Sequence, residues 1–172
     1  MRLTEVLGTG GRQLAIAGLI SLAIGLLVVP FQAWLSQAAV PWGELGAIAA
    51  MALAVTAAVH GYQRLVRWKK LRGDLLAAPV ESAAPSGALP RPKIWVWLLW
   101  GGFMFVMAYG FHPAFAIFSG SLLAGYGSAG PWLAGNVSGV EAGRVTFYTR
   151  QDPKTRRPSV YRVVRDEALD GA

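Results

Sequence analysis

The sequence predicts an all-α integral membrane protein: four transmembrane helices in two hairpins, with a small C-terminal cytoplasmic β-hairpin extension. Three observations lead there. Of the 172 residues, 54% are hydrophobic and only 15% are charged, against the roughly 25% usual in soluble domains. The charges are segregated. From Gln13 to Gln63 only Glu44 and His60 ionise near neutral pH, and from Ile94 to Val140 only His112 does. The uncharged stretches also divide into four runs of about the 20 residues that a bilayer requires.

The predicted organisation is an N-terminal arm and first hairpin over 1–72, with spans at about 14–35 and 45–66. A Pro- and Ala-rich linker follows over 73–93. A second hairpin occupies 94–135, with spans at about 94–111 and 114–133. A glycine-rich hinge and a basic β-hairpin tail fill 136–172. Met1–Arg12 reads as a polar arm. The run Leu14–Leu35 is longer than the apolar core of a signal peptide, so a retained first span is expected. Pro30 lies near its far end, and Ala17, Ser21 and Gly25 form a small-residue stripe.

In span two, Gly46, Ala50, Ala54 and Ala58 recur every four residues. Such stripes allow close backbone approach between membrane helices. The span ends in a basic cluster of Arg64, Arg67, Lys69, Lys70 and Arg72 around Trp68. This cluster is expected to set orientation and to contact anionic phospholipid. Pro79, Pro85, Pro90 and Pro92 forbid a continuous helix through the linker.

Span three, Ile94–Phe111, is apolar throughout and carries three tryptophans, three phenylalanines and a tyrosine. Gly110–Pro113 leaves almost no loop, so span four returns at once. Ala116, Gly120, Ala124 and Ser128 form one small line on it, and Ser121, Gly125 and Ala129 another. Pro131 and Trp132 are expected to end it, before a hinge at Gly135–Gly143. Beyond the hinge, alternation around Val145–Arg150 and Val160–Arg165 predicts a β-hairpin. A lone two-stranded hairpin is marginal in water, so it should dock on the membrane surface, on the Arg64–Arg72 segment or on a partner.

Basic residues fall on one side of this topology and neither opposite turn contains Lys or Arg. The positive-inside rule therefore expects both termini to be cytoplasmic. The Ala-, Gly- and Arg-rich, Lys-poor composition points to a bacterial inner membrane. The formal net charge of +7 is read as membrane flanking, and nucleic acid is not an expected partner. The absence of cysteine excludes thiolate metal sites and cysteine nucleophiles.

His60 and His112 lie at opposite ends of the hydrocarbon layer and so should not share a haem. No charge sits at mid-depth, where ion coupling would need one. No nucleophile–base–acid constellation is legible, so the chain is expected not to be an enzyme. The residues proposed for an apolar cofactor, pigment, quinone or lipid are Trp97, Trp100, Phe103 and His112. Those proposed for helix packing are Gly46, Ala50, Ala54, Gly102, Gly120 and Ala124. The leading expectation is a non-catalytic accessory or structural subunit whose partners are other membrane protein subunits. A binder of an apolar cofactor and a small oligomeric channel or exporter are the alternatives.

Overall fold

The computed structural model describes residues 1–81, 93–141, 145–151 and 158–164. Helix α1 spans Leu3–Leu35 and α2 spans Trp42–Tyr62. A π-helical turn at Gln63–Arg67 leads without a break into α3, Trp68–Leu76. Helix α4 is Ile94–Gly110 and α5 is Pro113–Glu141. Strands β1, Val145–Gln151, and β2, Pro158–Val164, form an antiparallel hairpin. The protein is therefore mostly helical, with the β-hairpin where alternation predicted it. Helix α1 and the continuous helix Trp42–Leu76 are long and apolar enough to cross a membrane, whereas α4 is apolar but shorter. Helix α5, which holds the fourth expected span, is not among the helices that are long and apolar enough to cross, so two of the four expected spans meet that measure among the described residues.

Helices α1 and α5 run antiparallel with their backbones in contact. A Cβ built on Gly11 would lie 2.7 Å from the Gly130 Cα, and one on Gly120 would lie 2.7 Å from the Leu22 N. At Gly18 and Gly127 an added Cβ would fall on the facing backbone at Ala124 and Ala15. Gly11, Gly18 and Gly25 recur every seven residues, and Gly120 and Gly127 answer with the same spacing. This repeat holds one stripe facing the partner along the whole contact.

Helix α2 lies parallel to α5. Gly125 faces Thr56 and Val59, and the Thr56 hydroxyl donates to Ala52 O at 2.8 Å and lies 3.3 Å from Ser121 O. The face that α2 turns inward carries Ala52, Thr56 and Val59. The expected stripe of Gly46, Ala50, Ala54 and Ala58 points outward, and nothing lies within 4 Å of a Cβ on Gly46. Helix α4 lies parallel to α1, with Val28, Met104, Ala108 and Ala116 forming a buried cluster. Gly101, not Gly102, faces α1: a Cβ built on it would lie 3.8 Å from Ile20 and Ile24, whereas a Cβ on Gly102 would meet open space. Gly120 faces Gly18 and Leu22, and Ala124 faces Gly18.

Three boundaries differ from the sequence reading, each because a buried stripe extends the helix. Leu3, Leu7 and Gly11, at i, i+4 and i+8, continue α1 through the expected polar arm. Leu133, Val137 and Glu141 do the same for α5. Pro131 therefore lies inside that helix, and the expected hinge is helical as far as Glu141. Trp68, Leu71 and Leu75 carry the basic segment inward as α3, so the extended linker begins only after Leu76. Residues 82–92 and the hinge residues 142–144 lie outside the described residues.

The hairpin docks on this end of the bundle. Phe147 joins Leu3, Leu7, Leu75, Ala78, Leu133 and Val137 in one core. Both strand edges find partners. The Thr149 N–H donates to Met1 O at 2.9 Å on one edge, and the Arg162 N–H donates to Pro79 O at 2.9 Å on the other. Glu141 is buried beneath the sheet, accepting from Arg2 Nη2 at 2.9 Å and from the Phe147 N–H at 3.2 Å. That hydrogen bond, followed by the carboxylate's charge, raises the Arg2 pKa above its ordinary value. Tyr161 stacks on Tyr148 at 5.8 Å. Burial, followed by the charge of Glu81, raises the pKa of its hydroxyl.

Two predictions follow from this packing. Gly120→Leu should overpack the α1–α5 contact and cost on the order of 1–3 kcal/mol or more, while Gly102→Leu should leave thermal stability in detergent within about 0.5 kcal/mol of the parent. Equal losses would place the packing face elsewhere. Glu141→Ala removes the acceptor of a buried N–H, at a cost of about 1–3 kcal/mol. Hydrogen exchange should then speed up across 145–151 and 158–164 and remain slow in α5 around Gly120.

Candidate functional site

Two aromatic residues of α4, Trp97 and Trp100, line a groove at the basic end of the bundle. Trp100 is its fixed wall. Its Nε1–H lies 3.2 Å from Ala17 O and 3.1 Å from Ser21 Oγ, and the Ser21 hydroxyl donates to Ala17 O at 2.8 Å. Ser21 is fully buried. An indole that places its single donor on a partner within an apolar layer leaves no polar atom unpaired and fixes the ring plane.

On the side of Trp100 toward the α4 N-terminus, Trp97, Leu14, Leu123 and Tyr126 surround a cavity of about 520 Å³. Gly10, Gly11, Ala17 and Gly130 are also among the residues that line it. Its volume lies within the ~300–1,000 Å³ range of small-molecule sites. The lining is predominantly apolar, and Gln13, Tyr126 and Arg67 are among the residues that line it.

Arg67 reaches the groove from the last residue of the π-helical turn. Its Nη1 donates to Gln63 Oε1 at 3.3 Å, and Gln63 is itself buried. A π turn accommodates one more residue than an α turn and so re-aims the side chains that follow it, which is why such turns recur at functional sites. Arg67 pairs with no carboxylate among the described residues. The other basic residues take different positions. Arg64 lies over the Trp132 ring with its Cζ 4.5 Å from the centroid, and Lys69, Lys70 and Arg72 are exposed.

The four residues proposed for an apolar ligand thus separate. Trp97 and Trp100 line the groove. Phe103 packs on Trp100 at 6.2 Å, but its own ring is half exposed outside the cavity. His112 lies at the opposite end, where its Nδ1 accepts the Ala114 N–H at 3.1 Å. His112 is the N-cap of α5, and Pro113 occupies the first helical position, where a missing N–H costs nothing. Sequence reasoning did not find Arg67 or Gln13 as part of this site. The spacing of Arg67 from Trp97 is set by the π turn, which no residue pattern announces.

One further pair comes together unannounced. His60 Nδ1 and Ser128 Oγ lie 2.8 Å apart, and Ser128 Oγ is 3.1 Å from Gly125 O. If the hydroxyl donates to the carbonyl, the imidazole donates to the hydroxyl. No carboxylate among the described residues orients the ring, so the pair lacks the third member of a nucleophilic triad. It reads as an interhelical polar contact between α2 and α5. Along α5, the neighbours of His60 and His112 are separated by roughly 20 Å of helix rise, so the two histidines do not share a ligand. Among the described residues, no group of three or more metal-ligating side chains converges. No family model, curated protein or solved structure matches the chain.

Trp100→Phe keeps the ring in place and removes its donor. It should cost about 1 kcal/mol of thermal stability, while Trp97→Phe, which loses no hydrogen bond, should be near neutral. A reversed order in detergent melts would show that Trp100 is not the fixed wall.

Proposed function

We propose that this chain is a non-catalytic accessory or structural subunit of a larger complex in a bacterial inner membrane, with four spans and both termini cytoplasmic. The observation that carries the reading is the direction of the α2 stripe. Gly46, Ala50, Ala54 and Ala58 turn away from the rest of the chain. Small residues in register favour close contact between membrane helices, because lipid gains nothing from a smooth surface and a second helix gains van der Waals contact. The intrachain small-residue contacts, between α1 and α5, are already occupied. The α2 stripe is a second set with no intrachain partner among the described residues.

The four-span arrangement is supported by the parallel and antiparallel order of the helices, which brings α1 and α4 to one end by their N-termini and α3 and α5 by their C-termini. Reporter fusions after Ala39 and after Ala172 should report opposite compartments. The same compartment for both would overturn the topology.

The subunit reading separates folding from assembly. Ala54→Leu should leave the melting temperature of the isolated chain unchanged and should release co-purifying chains, seen as a smaller particle on sizing in mild detergent. A wild-type chain that runs as a clean monomer without associated chains would refute the reading. A second reading, that the chain binds an apolar cofactor, pigment, quinone or lipid along α4, is favoured by the groove that Trp97 and Trp100 line.

A further inference from the structure

We infer that the groove between α1, α4 and α5 is a site for one anionic phospholipid, its acyl chain lying against Trp97 and Trp100 and its phosphate held by Arg67. The inference rests on the ligand-binding reading and names its ligand class.

Three features of the site specify that chemistry. The first is the shape and lining. The cavity of about 520 Å³ is walled by Leu14, Ala17, Trp97, Trp100 and Tyr126. These side chains offer contact area and few hydrogen bonds, which suits a hydrocarbon chain. The fixed indole of Trp100 keeps the walls apart, so the space does not depend on a ligand to open it.

The second is the charge at its rim. Among the lining residues only Arg67 is ionic. A guanidinium remains charged at every physiological pH and presents donors in a planar fork that matches phosphate oxygens. One of those donors is used by Gln63. The Gln63 bond holds the side chain in place, and the remaining donors can be given to a headgroup. A quinone or carotenoid has no anion to place against this group, whereas a phosphodiester does.

The third is location. Arg67 belongs to the basic end of the bundle, beside exposed Lys69, Lys70 and Arg72. These residues attract anionic lipid to the surrounding surface, each contributing about 1 kcal/mol near a charged leaflet. They are not placed in the groove. General surface attraction and specific groove occupation are therefore carried by different residues, and a substitution can tell them apart.

The test uses the full-length chain reconstituted in phosphatidylcholine vesicles containing brominated phosphatidylglycerol over a series of mole fractions, or brominated phosphatidylcholine over the same series. Bromine on the acyl chain quenches nearby tryptophan. The Trp97 signal is obtained as the difference between the parent and Trp97→Phe. In the parent background, brominated phosphatidylglycerol should quench Trp97 at a lower mole fraction than brominated phosphatidylcholine. Arg67→Gln should reduce that preference roughly fivefold, the equivalent of one basic contact. Arg67→Lys should retain most of it, and so should Arg72→Gln.

A preference that survives Arg67→Gln but falls in Arg72→Gln would overturn the inference in favour of surface attraction alone. Equal quenching of Trp97 by both lipids would leave the groove as a lipid site without headgroup selection, which sinks the inference but not the ligand-binding reading. No quenching of Trp97 by either lipid would sink both. Far-UV circular dichroism of each variant checks folding. If Arg67→Gln fails to fold, the parent's preference and its retention in Arg67→Lys decide the matter.

Discussion

Backbone contact between α1 and α5 is the interaction on which the rest of this structure depends. In water, burying apolar side chains would drive two helices together. In a lipid layer that gain is absent, and association rests on van der Waals contact and interhelical polar contacts. The glycines on both sides of this pair bring the backbones so close that an added methyl group would fall on the opposing chain. Everything else is placed relative to that pair. Helix α2 lies on the adjacent face of α5 through Gly125, and α4 lies along α1 through Trp100 and Gly101. The hairpin core is built on the continuation of the same two helices, through Leu3 and Leu7 on one side and Leu133 and Val137 on the other.

The contact also accounts for a proline inside α5. Pro131 has no N–H for the carbonyl of Gly127, four residues earlier. That carbonyl is turned toward Gly11, 2.8 Å from where a Cβ would sit. Glycine at this position lets a neighbouring Cα–H approach the orphaned oxygen, and the Pro131 ring packs on the same spot. The hydroxyls follow similar economics. Ser21, Thr56, Ser119 and Ser121 each return their proton to a carbonyl four residues back. Each of these hydroxyls thus has an acceptor within its own helix.

The helices were legible because a hydrophobic run is a strong signal, and the turn at Gly110–Pro113 because glycine and proline punctuate it. Helix ends were less so. Three of them continue past the apolar run on single buried residues at i and i+4, and these look like polar arm or hinge until their partners are known. The small-residue stripes were legible as stripes but not as directions. Helix α2 carries one line through Gly46 and Ala50 and another through Ala52 and Thr56. Spacing treats them alike, and only the position of α5 selects the second. Gly101 and Gly102 are adjacent, and the choice between them depends on the rotation of α4 about its axis. In the groove, Trp97 and Trp100 stand out in the sequence, but Arg67 is brought to them by a π turn thirty residues upstream, and nothing local encodes that meeting.

The aromatic helix then acquires a physical role different from that of a central pillar. Helix α5, not α4, has the most buried residues. The bulk of α4 meets a surface made smooth by the α1–α5 contact, and large side chains cannot interdigitate with glycines. Where Met104 and Ala108 lie against Val28 and Ala116, the fit closes. Toward the N-terminus of α4, Trp100 is held by its bonds to Ala17 and Ser21, and Gly10, Gly11 and Gly130 line the space beside it. Gly11 and Gly130 take part in both, lying in the α1–α5 contact and lining the cavity. A void of this size loses the dispersion contacts of every atom lining it. A hydrocarbon chain in the groove would restore them. The close packing that organises the bundle and the cavity at its flank thus meet at Gly11 and Gly130.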